Sequence, residues 1–229
     1  MSQVLYNGYA PSTTTVDQRN RVLRNTYWLL ALSMVPTVLG AWVGLQTGIT
    51  ASLTGGVGLI VFLGGAFGFM YAIEKTKNSA AGVPVLLGFT FFMGLMLSRM
   101  LAMVLGFSNG SSLIMTAFGG TAGVFFVMAN LSTVIKRDIS GMGKWLFVGA
   151  LAIMIGAVIN VFVGSPAAMA AIATIAIVVF SMYLLYDLKR IVDGGETNYI
   201  TATLGLYLSL FNIFQSLLML LGMFGGDRD

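Results

Sequence analysis

The sequence predicts an all-α membrane protein, a bundle of about seven transmembrane helices. Of its 229 residues, 57% are hydrophobic and only 9% are charged, whereas a soluble domain usually carries about 25% charged residues. Apolar runs of roughly 20 residues, the length that a helix needs to cross a bilayer, recur along the whole chain. Few residues remain for loops, so we expect one polytopic domain and no separate soluble catalytic domain.

Seven apolar runs predict the membrane spans. The first, Tyr27–Leu45, follows a long polar segment and is long enough to span the bilayer, so we interpret it as an uncleaved helix and not as a signal peptide. We expect a polar N-terminal tail at residues 1–24, a transmembrane domain at 25–226 and a short external C-terminus at 227–229. The other spans are predicted at Leu53–Ile73, Val83–Gly106, Leu113–Ile135, Trp145–Val163, Ala167–Tyr186 and Ile200–Phe224.

Basic residues cluster in alternate connections. The loops after the first, third and fifth spans carry no charge, whereas Lys and Arg precede the first span and follow the second, fourth and sixth. By the positive-inside rule, the N-terminus is cytoplasmic and the C-terminus periplasmic in a bacterial inner membrane. Topology also explains the net charge of +4, and we expect no nucleic-acid partner. On the basic side lie ten of the 12 Lys and Arg residues: Arg19, Arg21, Arg24, Lys75, Lys77, Lys136, Arg137, Lys144, Lys189 and Arg190.

The composition excludes several kinds of chemistry. The chain has no Cys, which removes disulfides, thiol nucleophiles and thiolate metal sites. It also has no His, which removes the commonest general base and the usual zinc ligand. We therefore predict a protein that is not an enzyme, with no catalytic residue, no cofactor and no metal site, and with the lipid bilayer as a partner.

Asp187 is the carboxylate that ends the sixth predicted span, one turn beyond Tyr183 and just before Lys189 and Arg190. A charge at this depth costs free energy unless it is paired or hydrated. A salt bridge at the helix end and a functional carboxylate are equally compatible with the pattern. An aspartyl intramembrane protease would need a second Asp on a neighbouring span, and the seventh span has none before Asp227.

The seventh span carries a polar face. Gly205, Ser209, Asn212 and Ser216 follow one another at helical spacing and are predicted to face inward. Hydrogen bonding between helices is the commoner use of such residues, and a hydrated path is the alternative. Asp187, Ser209 and Asn212 are the candidate residues for an ion path or latch.

Arg99 is the basic residue inside an apolar span, and we expect its long side chain to snorkel to the outer headgroups. Asn130 and Asn160 are expected to bond to neighbouring backbone. Three glycine pairs at helical spacing are interpreted as close helix contacts: Gly40/Gly44, Gly64/Gly68 and Gly119/Gly123.

Three long segments carry a resemblance to a known family. They are RVLRNTYWLLALS entering the first span, GGTAGVFFVMANLSTVIKRDIS across the fourth, and GGETNYITATLGLYLSLFNIFQSLL through the seventh. The chain resembles the Bax inhibitor, or transmembrane Bax inhibitor motif, family over nearly its whole length, and within it the bacterial YccA-like subgroup. The resemblance implies a seven-helix bundle whose last helix is surrounded by the other six.

The resemblance implies two functions. The subgroup is described as a modulator of the membrane-anchored ATP-dependent protease FtsH, engaged through the cytoplasmic tail, which makes Asp17, Arg19 and Arg21 candidate partner-binding residues. Other family members are described as pH-dependent calcium leaks with an aspartate latch between the sixth and seventh helices. Asp187 matches the first latch position, whereas the second falls on Ser209. We place the protease modulator first, the cation leak second and a purely structural role third.

Overall fold

The structure is a computed structural model that describes residues 16–53 and 55–227. In these residues it contains seven α-helices and no strand, and all seven helices are long and apolar enough to cross a membrane. The predicted fold class and number of spans are confirmed. The helices are α1 (Val16–Thr47), α2 (Gly55–Thr76), α3 (Gly82–Leu105), α4 (Gly110–Val134), α5 (Met142–Val163), α6 (Pro166–Val192) and α7 (Tyr199–Gly225).

Helix α1 begins at Val16, well before the first predicted span, so residues 16–24 are helical. Asp17 lies in the first turn, where a carboxylate interacts favourably with the helix dipole. Val22 and Leu23 pack against the hydrophobic core, which stabilises this extension. The rest of the predicted tail, residues 1–15, lies outside the described residues.

Exposed tryptophans support a membrane position for the bundle. Trp28 and Trp42 of α1 and Trp145 of α5 are all more than half exposed. Trp28 and Trp42 are separated by about 21 Å along the helix axis, which fits within a hydrocarbon core of about 30 Å. Exposed aromatic rings at these positions indicate contact with lipid, in agreement with the seven apolar helices.

The most extensive helix contact joins α1 and α3, and glycine makes it possible. A Cβ atom on Gly94 would overlap the carbonyl oxygen of Thr37, and one on Gly40 would overlap that of Phe91. Gly44 lies similarly close to the Ser98 hydroxyl. The Gly40/Gly44 prediction is therefore confirmed. The same prediction for Gly64/Gly68 and Gly119/Gly123 was wrong. Open space lies beside each of these four glycines, so none of them makes a close helix contact in the structure.

Helix α7 contacts five of the other six helices, namely α1, α2, α3, α4 and α6. Within the described residues α5 packs on α6 and α2 without contacting α7. The resemblance implies that six helices surround α7, whereas five contact it here. Tyr207 of α7 is fully buried, and its hydroxyl oxygen lies 2.9 Å from the Thr37 hydroxyl oxygen and 3.4 Å from the Thr90 carbonyl oxygen. These contacts join α7 to α1 and α3.

Candidate functional site

Asp187 lies inside α6, because the helix continues to Val192 instead of ending at Tyr186 as predicted. Its carboxylate points at α7, where the Oδ2 atom lies 2.8 Å from the position that a Cβ atom on Gly205 would occupy. The Cβ atom of any other residue at position 205 would lie too close to the Asp187 carboxylate. The absence of a side chain at Gly205 therefore makes room for Asp187 between the two helices.

A cleft of about 240 Å³ opens beside this carboxylate, between α6 and α7 at the basic end of the bundle. This volume is enough for several water molecules, since each takes about 30 Å³ in the liquid. Apolar side chains and a few polar groups share its wall. The lining residues are Tyr183, Asp187, Arg190, Ile191, Glu196, Thr201, Ala202, Leu204, Gly205 and Leu208.

The basic neighbours of Asp187 pair with other carboxylates. Lys189 Nζ lies 2.5 Å from Asp193 Oδ1, and Arg190 Nη2 lies 3.2 Å from Glu196 Oε2. The Arg190 guanidinium also lies 5.7 Å from the centre of the Tyr186 ring. Within the described part of the chain Asp187 has no hydrogen bond and no salt bridge. The helix-end salt bridge is therefore not formed, and the carboxylate faces the cleft.

Ser209 and Asn212 do not line this cleft. Ser209 is buried on α7 one turn beyond Gly205, as predicted for the inward face. Asn212 is half-buried and its Nδ2 donates to the Leu208 carbonyl at 2.8 Å, within its own helix. The latch at Ser209 stays a prediction, and Gly205 is the α7 residue that meets Asp187.

Sequence reasoning missed Glu196 and Thr201 as residues of the cleft. Glu196 lies in the α6–α7 loop, and its Oε1 accepts a hydrogen bond from the Asn198 backbone N–H at 2.9 Å. Asn198 in turn caps α7, because its Oδ1 accepts from the backbone N–H groups of Ile200 and Thr201. The loop sequence GETN contained this cap signal, but nothing in it showed that the loop folds back over Arg190.

The candidate partner-binding residues lie on the first turns of α1. Asp17 and Arg21 are exposed and Arg19 is half-buried, and none of the three lines the cleft.

In the α4–α5 loop, the Ser140 backbone N–H donates to Asp138 Oδ1 at 2.8 Å, and this bond holds the pKa of Asp138 below its usual value.

The remaining polar residues within spans behave largely as expected. Asn130 Nδ2 donates to the Phe126 carbonyl at 2.7 Å, and Asn160 Oδ1 accepts from the Ser165 backbone N–H at 3.1 Å. Arg99 is exposed, and its Nη1 donates to the Leu53 carbonyl at 2.8 Å.

Seven helices that are long and apolar enough to cross a membrane, with a cleft beside Asp187 at the end of the last two, define a multi-pass helical membrane protein. The chain belongs to the Bax inhibitor family, since the family model described as "Inhibitor of apoptosis-promoting Bax1" matches residues 19–226. It is similar to the Escherichia coli K12 protein named "Modulator of FtsH protease YccA", with 38% identity over 93% of this chain and 95% of the relative. An "Uncharacterized membrane protein" of Vibrio cholerae is 36% identical over 92% of each chain.

Proposed function

We propose that this chain is a non-enzymatic, multi-pass inner-membrane protein that modulates a membrane-anchored ATP-dependent protease of the FtsH type. The observation that carries the proposal is the similarity to a relative named as a modulator of FtsH, which extends over 93% of this chain. A second relative of equal identity is named "Inner membrane protein YccA", which supports the same membrane. The lipid bilayer and the protease are then the partners, and no cofactor is needed.

The polar N-terminal segment is the proposed contact with the protease. Residues 1–15 are rich in Ser, Thr and other polar residues, a composition that does not build a packed core. The segment leads into Asp17, Arg19 and Arg21, of which Asp17 and Arg21 are exposed on α1. Short loops connect the remaining helices, so this end of the chain offers the longest polar stretch to a partner.

Deleting Ser2–Thr15 is expected to abolish modulation of the protease and to leave the bundle folded. The deletion ends before α1 begins at Val16, so no described packing contact is removed. The measurement is the rate at which FtsH degrades a membrane substrate in proteoliposomes, with and without the native chain or the deletion variant. Circular dichroism and the melting temperature report the fold of both.

Two matched variants locate the contact more closely. Arg21→Glu changes an exposed charge next to the tail, and Lys144→Glu changes an exposed charge at the start of α5. We expect the first to weaken modulation and the second to leave it intact. Modulation that survives both the tail deletion and Arg21→Glu would refute the proposed contact.

The proposed orientation places the N-terminus in the cytoplasm and the C-terminus in the periplasm. Ten of the 12 basic residues lie on one side of the predicted topology, which the positive-inside rule assigns to the cytoplasm. Alkaline phosphatase fused after Gly226 should therefore be active, and green fluorescent protein fused there should be dark. The reverse pair of results would overturn the orientation.

We propose a calcium or other cation leak as the second candidate function. The observation that favours it is the Asp187 carboxylate, which faces a hydratable cleft while Lys189 and Arg190 pair with other carboxylates. Glu196 also lines the cleft, where its Oε2 pairs with Arg190. Oxygen ligands of this kind suit Ca²⁺, which here would be the transported ion.

A further inference from the structure

A second cleft lies at the end of the bundle opposite the basic loops. It has a volume of about 440 Å³ and is bounded by α2, α3, α5, α7 and the α1–α2 loop. Leu59, Phe62, Met96 and Val161 are among the apolar residues of its lining, and we call this apolar part of the wall the trough. Arg99 is the only charged residue among the described residues that line it.

The structure holds Arg99 in place. Its Nη1 donates to the Leu53 carbonyl at 2.8 Å, and the neighbouring Ser98 Oγ lies 2.8 Å from Thr50 Oγ1. Both contacts join α3 to the α1–α2 loop, which also packs closely on Gly58. A guanidinium has five N–H donors, and the bond to Leu53 is the only hydrogen bond of this side chain within the described residues. Among residues 16–53 and 55–227, the other donors of Arg99 have no hydrogen-bond partner.

The Arg99 guanidinium lies level with the α1–α2 loop at this end of the bundle, because it donates to the Leu53 carbonyl. The residue lies six positions before the end of α3 at Leu105, which is about 9 Å along the helix axis. Its long side chain reaches outward from that depth, as Arg does when it snorkels to the headgroups. Arg99 is also exposed on the bundle, so the surrounding lipid has access to it.

We propose that this cleft binds one anionic phospholipid, with its phosphate on Arg99 and an acyl chain along the trough. A guanidinium matches a phosphate through two parallel hydrogen bonds, which gives strong and specific recognition. No carboxylate lies among the described lining residues, and Gln215 offers a further polar group at the cleft. A free phosphate ion would use the guanidinium but not the apolar trough, so the geometry favours a lipid.

Native mass spectrometry of the full chain, delipidated in detergent and titrated with phosphatidylglycerol, tests the proposal. We expect one molecule to bind the native chain, more tightly than phosphatidylcholine does. Arg99→Gln should weaken binding about tenfold or more, because a charge-assisted hydrogen bond is lost. Lys144→Gln removes an exposed basic residue at the other end of the bundle and should leave binding unchanged.

A second variant tests lipid binding without breaking the hydrogen bond between Arg99 and the α1–α2 loop. Val161→Trp fills the trough at an exposed position of α5 and leaves Arg99 intact, so it should weaken phosphatidylglycerol binding as well. The proposal is overturned if phosphatidylcholine binds equally, if Arg99→Gln or Val161→Trp binds as the native chain does, or if Lys144→Gln is as weak as Arg99→Gln. Displacement of the lipid by equimolar inorganic phosphate would also overturn it.

Discussion

Replacing Gly94 with alanine is expected to destabilise the bundle by about 1–3 kcal/mol, the usual cost of overpacking a close contact. The new Cβ atom would overlap the carbonyl oxygen of Thr37, which belongs to the backbone of α1. A backbone atom cannot rotate away as a side chain can, so α1 and α3 must separate. Thr37 also contacts the Tyr207 hydroxyl, and the separation would therefore disturb α7.

The melting temperature of the purified chain in detergent, followed by fluorescence-detected size exclusion, measures this effect. Gly40→Ala should act similarly, because its Cβ would overlap the Phe91 carbonyl oxygen. Gly119→Ala and Gly123→Ala are the matched controls, since both glycines lie in α4 with open space beside them. Alanine in a helix is favoured over glycine by about 0.5–1 kcal/mol, so neither control should lower the melting temperature. Equal losses in all four variants would refute the packing argument.

Much of the fold could be predicted because hydrophobic length alone identifies a membrane span. The predicted runs Val83–Gly106 and Trp145–Val163 begin and end close to the ends of α3 and α5. They agree because a helix that crosses lipid needs an apolar stretch of nearly fixed length. The start of α1 could not be found this way. Its first turns extend past the apolar run, and Val22 and Leu23 are stabilised by tertiary packing that only the folded chain shows.

The candidate site could be predicted only in part. A carboxylate near the end of a membrane span is unusual enough to single out Asp187 from the sequence. Its partner on α7 depends on how the two helices are rotated and shifted. Helical periodicity placed four residues on one face, and the family resemblance placed the second latch position at Ser209. In the structure Gly205 is the α7 residue that meets the carboxylate, because its missing side chain leaves room there, and the latch at Ser209 stays a prediction.

If the second candidate function holds, Asp187→Asn is expected to lower calcium flux through the bundle about tenfold or more. A cation about 5 Å from a carboxylate gains a few kcal/mol at an effective dielectric of about 20, and a loss of about 1.4 kcal/mol already changes a rate tenfold. Asparagine keeps the size of the side chain and removes its charge, so the cleft should keep its shape. The measurement is calcium uptake into liposomes that contain the purified chain and an entrapped fluorescent indicator.

Glu74→Gln is the matched control, because Glu74 is an exposed carboxylate at the same end of the bundle that pairs with Lys77 and does not line the cleft. It should leave the flux near the native value. Gly205→Ala should lower the flux while Asp187 is retained, since the added Cβ would lie 2.8 Å from the Oδ2 atom and displace the carboxylate. If liposomes that contain the native chain take up no more calcium than empty liposomes, the leak is excluded. Native flux that persists in Asp187→Asn would show that ions cross elsewhere. Neither result would bear on the proposal that the chain modulates a protease, because that proposal is tested through residues 1–15 and the exposed Arg21.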